Sequence, residues 1–253
     1  MTSPEQPEQP EQVPQTRPAD SAGVPWGGRA VPHSGFEGDD GSRDPRLGAA
    51  LGTGDDAALV EALRGARLLV PVTAVAAETT EGTSGLTAEK ETDMAVVLLD
   101  NPDGRTALPV FSSAADLAAF DTSLRPVPVT AERAAEAAIS EQAQLMVLDC
   151  ASEHAAEVRS SMLWALVQRQ PWLPPHEDPF VARSVAAALS GAPEVLGHDL
   201  VAGAEPGELV LSLQIVPGLA TEQLQAVVEG VGERLAADGE LRARVDALTF
   251  RVR

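Results

Sequence analysis

The spacing of apolar and polar positions changes repeatedly between residues 55 and 253, and each change marks a structural element. Asp55–Ala66 places Leu59, Val60 and Leu63 on one helical face, with two aspartates in its first turn, where the helix dipole favours them. Arg67–Ala76 (RLLVPVTAVA) reads as a strand, and Pro71, which cannot donate to a ladder, assigns it to a sheet edge or a bulge. Met94–Leu99 is an unbroken apolar run, the pattern of a strand covered on both faces. Asn101-Pro102-Asp103-Gly104 then supplies a turn, and Leu108–Phe111 a second short strand. Ser113 follows as the cap of a helix with Leu117 and Phe120 on one face. Arg125–Val129 is extended by its two prolines, Thr130–Ser140 is helical, and Leu145–Leu148 is a buried strand ending at Asp149-Cys150.

The second half opens with a helix over about Glu153–Gln168, carrying Val158, Met162 and Leu166, followed by the proline-rich loop Pro171–Pro179. Asp178 is placed to cap a helix starting at Pro179, with Val181, Val185, Ala188 and Leu189 at helical spacing. Glu194–Val201 and Glu208–Val216 read as strands, the second alternating Leu209, Leu211, Leu213 and Ile215 with Ser212 and Gln214. Leu224, Val227, Val228, Val231 and Leu235 mark a long helix, Leu241 and Val245 a short one, and Leu248, Phe250 and Val252 a closing strand. The fold class is therefore α/β, with α+β mixed sheets: two consecutive α/β parts, residues 55–150 and 151–253, preceded by an N-terminal arm. The Pro/Glu/Gln repeat near the start cannot bury apolar surface, so residues 1–24 form a disordered tail. Residues 25–54 hold Trp26 and Phe36, which are costly to leave in water, and read as a partly docked arm.

Charge narrows the partners. The formal net charge is -20, and residues 55–150 alone contain 16 acidic against 6 basic side chains. No segment is basic, which disfavours nucleic acid and anionic membrane surfaces. The longest uncharged apolar run, Leu68–Ala77, is too short to span a bilayer, and the opening residues lack the pattern of a secretory signal. The single cysteine, Cys150, permits no intrachain disulfide and suits a reducing cytoplasm. Seventeen arginines against one lysine, Lys90, with no tyrosine, reflect a high-GC coding bias.

Candidate chemistry is sparse. There is no phosphate-binding loop, dinucleotide fingerprint or nucleophile elbow. Cys150 and His154, with His176 and His198 scattered elsewhere, fall short of a zinc ligand set, so no metal or cofactor is expected. Cys150–His154 is a conceivable nucleophilic pair without a visible activator, and His176-Glu177-Asp178 a conceivable general-base loop, although helix capping accounts for it more simply. Glu78, Glu81, Glu89, Glu91 and Asp93 cluster in one acidic stretch, the candidate steering surface for a basic partner. Trp172, with Trp164 beside the proline-rich loop, is either core packing or part of a docking surface.

Taken in order, PWGGR at Pro25–Arg29, FEGDDG at Phe36–Gly41, DPRLGAAL at Asp44–Leu51, ALRGARLLVPV at Ala62–Val72, EKETDMAVVLLDNPDGRTALPVFSS at Glu89–Ser113, RPVPV at Arg125–Val129, LMVLD at Leu145–Asp149 and PWLPPHEDPFV at Pro171–Val181 resemble the SseB family, in particular its actinobacterial members. The resemblance implies an SseB N-terminal-type α/β domain followed by a second α/β part, and it transfers no catalytic residue, cofactor or enzymatic activity. The expectation is a cytoplasmic, non-enzymatic interaction or regulatory protein. The alternative is an enzyme or small-ligand binder with a pocket near Cys150 or the His176–Asp178 loop.

Overall fold

A computed structural model describes residues 35–36, 38–75, 93–100 and 104–253. The expected tail at 1–24, Trp26, most of the Asn101–Gly104 turn, and Glu78, Glu81, Glu89 and Glu91 lie outside the described residues. The chain divides into two units, residues 1–38 and 39–253. In the first, Phe36 is half-buried. The remaining description concerns the second.

That unit opens with two short helices. Helix α1 (Pro45–Leu51) is capped by Asp44 and has proline at its first position, and α2 (Asp56–Leu63) is capped by Asp55, which accepts from the Ala58 amide at 3.0 Å. Strand β1 (Arg67–Val75) lies between β2 (Asp93–Val96) and β5 (Arg125–Thr130), antiparallel to both. The second sheet runs β3 (Leu99–Asp100), β4 (Thr106–Val110), β6 (Leu145–Leu148), β7 (Ala156–Val158). Here β4 and β6 are parallel, and the crossover between them carries α3 (Ala114–Phe120), β5 and α4 (Ala131–Ser140). Helix α5 (Ser160–Val167) completes this region. Next come α6 (Pro179–Leu189), β8 (Val195–Ala202), β9 (Glu208–Ile215), α7 (Thr221–Ala237), α8 (Gly239–Arg244) and β10 (Ala247–Val252). The third sheet is ordered β10-β9-β8, with β10 parallel and β8 antiparallel to β9.

Three expectations need correction. Met94–Leu99 is not one strand. Met94–Val96 belongs to β2, Leu99 pairs with Ala107 in the other sheet, and Ala95–Leu99 are half-buried rather than covered on both faces. Nor is Pro71 at an edge, since β1 is the middle strand. Its outer side changes partner at that point: Leu69 exchanges bonds with Phe111 at 2.8 and 2.9 Å, and the Pro71 carbonyl accepts from Val97 at 3.2 Å, so the missing N–H falls at the handover between partners. Glu153–Gln168 is not one helix, because Ala156–Val158 pairs with β6 before α5 begins. Helix α1 went unpredicted.

Two large apolar clusters and a small one, Leu69, Phe111 and Leu117, form the core of the unit. The larger runs from Leu47 to Trp172 and packs α1, α2, α4 and α5 against β1, β4 and β6. Helix α5, although it follows residue 150, buries Met162, Leu163, Ala165 and Leu166 there. The other runs from Val181 to Leu241, with α6, α7 and α8 covering Leu209, Leu211 and Leu213 of β9.

Candidate functional site

Parallel strands in α/β sheets usually present function beyond their carboxyl ends, and β4 and β6 end side by side at Val110 and Leu148. Ser112 and Asp149 stand just past those ends. The Asp149 amide donates to the Val110 carbonyl at 2.9 Å, and its φ of +50°, a left-handed conformation that aspartate tolerates better than most residues, turns its carboxylate back toward β4. That carboxylate is completely buried and accepts from the Ser112 amide at 2.8 Å and the Ser112 hydroxyl at 2.6 Å. Ser113 caps α3 by accepting from the Asp116 amide at 3.1 Å, and its hydroxyl donates to the Asp116 carboxylate.

A cation from 106 residues away closes this cluster. Arg43 donates to Ser112 Oγ at 2.7 Å, to Asp116 at 2.9 Å and to Asp149 at 3.3 Å. Arg67 secures the same segment, donating to the Ser112 carbonyl at 2.8 Å and pairing with Asp39 at 2.7 Å. Burial pushes the Asp149 carboxyl above its ordinary value; the Ser112 hydrogen bonds and Arg43 oppose that rise, and Asp116 adds to it. Cys150 packs beside Phe111 and Leu117, and burial, reinforced by Asp149, raises its thiol pKa. A thiol held neutral in this way is a poor nucleophile. His154 is largely exposed, with its imidazole 3.7 Å from Glu153.

A second cluster joins the two cores. Arg159 pairs with Asp56 at 2.6 Å and Asp246 at 3.1 Å. Burial opposes its charge, and these carboxylates more than compensate. Asp246 also accepts from the amide and hydroxyl of Ser161, each at 2.8 Å, and that hydroxyl accepts from Trp172 Nε1 at 3.0 Å. Trp172 is thus placed in the first core, 8% exposed, rather than on an open docking surface. Gly207, with φ +78°, lies against this network, and a Cβ there would fall 2.3 Å from Asp246 Oδ2. An open cleft of about 760 Å³ borders the cluster, lined by Asp55, Asp56, Arg105, Glu157, Arg159 and Glu205 among others.

In the His176–Asp178 loop, Asp178 has structural partners. Asp178 caps α6 through the Phe180 amide at 2.7 Å and pairs with Arg244 at 2.7 Å. The Arg244 guanidinium also lies 4.7 Å from the ring centres of both Trp164 and Phe180. His176 sits 3.5 Å from Glu177. Among the described residues no group of three or more His, Cys, Asp or Glu side chains is arranged to hold a metal, and no helix is long and apolar enough to cross a membrane. Of the acidic stretch, only the Asp93 backbone, which opens β2, is described.

The third sheet differs in kind. Four of the six exposed large apolar side chains among the described residues lie on its two outer strands: Leu196 and Val201 on β8, Leu248 and Val252 on β10, at 36–60% exposure. Beside Leu248 is a groove of about 290 Å³ lined mainly by apolar groups, including Val185, Leu209, Leu235, Leu241 and Val245. Across the face away from the helices the pairing aligns Asp199, Ser212 and Arg251, so acids sit on β8 and β9 and the arginines on β10.

No curated protein and no solved structure matches the chain. Residues 47–165, which cover most of the first core and the carboxyl ends of β4 and β6, match the family model described as the SseB protein N-terminal domain.

Proposed function

We propose that this chain is a non-enzymatic, cytoplasmic interaction module of the SseB family, of the actinobacterial type, that binds a protein partner through its C-terminal sheet. The observation that carries this reading is the pair of exposed apolar side chains Leu248 and Val252, on the helical side of β10, with an apolar groove beside Leu248. The Arg43–Asp149 and Arg159–Asp246 clusters, by contrast, pair among themselves. Among the described residues no fully buried side-chain nitrogen or oxygen lacks a hydrogen-bond partner. A photo-crosslinking side chain at Leu248 or Val252, compared in cells with one at Ile139 on α4, tests the reading. One partner captured from both sheet positions and not from Ile139 supports it. No adduct from either sheet position, or the same adducts from all three, contradicts it.

A further inference from the structure

Resting on that reading, the free edge of β10 specifies the form of the partner. We infer that β10 accepts an extended partner segment as an additional strand, with apolar side chains facing the helical side and acidic side chains facing Arg251. The backbone fixes the geometry. The Arg253 amide donates to the Leu213 carbonyl at 3.0 Å, and the Arg253 carbonyl accepts from Ile215 at 3.3 Å, so odd-numbered residues of β10 bond to β9. By strand alternation Leu248, Phe250 and Val252 turn their N–H and C=O groups outward, and no strand among the described residues pairs with them. Such a row of unpaired groups is the template for strand addition.

Three features choose this edge and this occupant. The ladder of β10 on β9 is regular over all six residues, whereas β8 has a register shift between Val195 and Gly197 that disrupts its edge. On the helical side Leu248 and Val252 are exposed, and the groove beside Leu248 can receive an apolar side chain from the added strand. On the other side the arginines are outermost. Asp199 and Glu208, which interact with Arg253 and Arg251, lie on the inner and far strands. A carboxylate on the added strand would therefore be a direct neighbour of Arg251, with the acids of the sheet further away. A second copy fits less well, since it brings a second pair of edge arginines and a second net charge of -20.

The test uses the full chain with a defined probe, a blocked seven-residue peptide alternating Glu and Val, at 0.15 M salt so that long-range repulsion from the acidic body is screened. Binding is read by fluorescence anisotropy, and its place by amide hydrogen exchange. The expected result is slowed exchange at Leu248, Phe250 and Val252, with Thr249 and Arg251 already slow beforehand. A Lys/Val peptide should bind about tenfold more weakly, the difference reversing in Arg251→Glu. A Glu/Val peptide N-methylated at every residue, which has no strand N–H to donate on either edge, should not bind, a result independent of any variant's folding. Equal affinity for the Glu and Lys peptides, protection confined to β8, or a solution dimer dissolved by the unmethylated Glu/Val peptide would overturn the inference. In-cell adducts from Leu248 and Val252 without probe protection at β10 would refute strand addition while leaving the docking reading intact.

Discussion

The two parallel strand pairs of this molecule sit in opposite surroundings. Strands β4 and β6 are interior to their sheet, flanked by β3 and β7, and the polar groups beyond their ends are closed off by Arg43 and Arg67. Strand β10, although also paired in parallel, is outermost, with exposed apolar side chains along it. The first arrangement spends its ionic groups on internal closure. The second leaves hydrogen-bonding capacity and apolar surface free. Function is therefore sought at the open sheet rather than at the strand ends that the α/β rule would favour.

The contrast can be broken by mutation, and the closed clusters should give the largest effects. Arg159→Ala leaves Asp246 and Asp56 without their shared cation and should cost about 3 kcal/mol in urea unfolding. Gly207→Ala should be comparably damaging, because a Cβ there meets Asp246 and the left-handed φ is strained for alanine. Arg43→Ala comes next, at about 2 kcal/mol, since Arg43 is partly exposed and Ser112 continues to bond Asp149.

Acid should sharpen the picture. The folded-state pKa of Asp149 lies above its unfolded value, so between those two values the folded protein binds more protons at this site. The Asp149 contribution to stability is therefore unfavourable at neutral pH and improves as pH falls through the raised pKa toward the ordinary value of 3.8. Relative to Asp149→Asn, the natural chain should gain stability on acidification over that window, as read by denaturant titrations at a series of pH values. A difference independent of pH would show that the buried carboxylate does not titrate there.

At the open sheet the expected pattern inverts. Val252→Ser and Val201→Ser should each change stability by no more than about 0.5 kcal/mol, yet only Val252→Ser, on the docking strand, should reduce partner capture. The smallest effect belongs to the acidic stretch. Neutralising Glu78, Glu81, Glu89, Glu91 and Asp93 together should lower the on-rate of a basic partner at low salt, leaving stability unchanged. An on-rate insensitive to both salt and neutralisation would reduce that charge to a solubility role.

Much of the local structure was legible in the sequence, and the ionic clusters were not. Asp178-Pro179 announces α6 by its cap and its proline, and the same signal at Asp44-Pro45 begins α1, where Gly48 and the surrounding Gly/Asp-rich stretch obscure it. Ser113 was recognisable as a cap because its partner, the Asp116 amide, is three residues on. Arg43 could not be connected with Asp149 across 106 residues by any spacing rule, nor Arg159 with Asp246 across 87. Met94–Leu99 misled because a run of apolar residues does not reveal that the chain leaves one sheet for another partway along it. Trp172 was open to two readings, and its indole N–H to Ser161 fixes it inside.

The most direct test of the account is residue-resolved amide exchange along β10, in the free protein and with the captured partner bound. The account predicts fast exchange at Leu248, Phe250 and Val252 in the free protein, slow exchange at Thr249, Arg251 and Arg253, and protection of the first three on binding. Leu248, Phe250 and Val252 already slow in the free protein, or still fast in the complex, would contradict the claim that this open edge is where the protein docks.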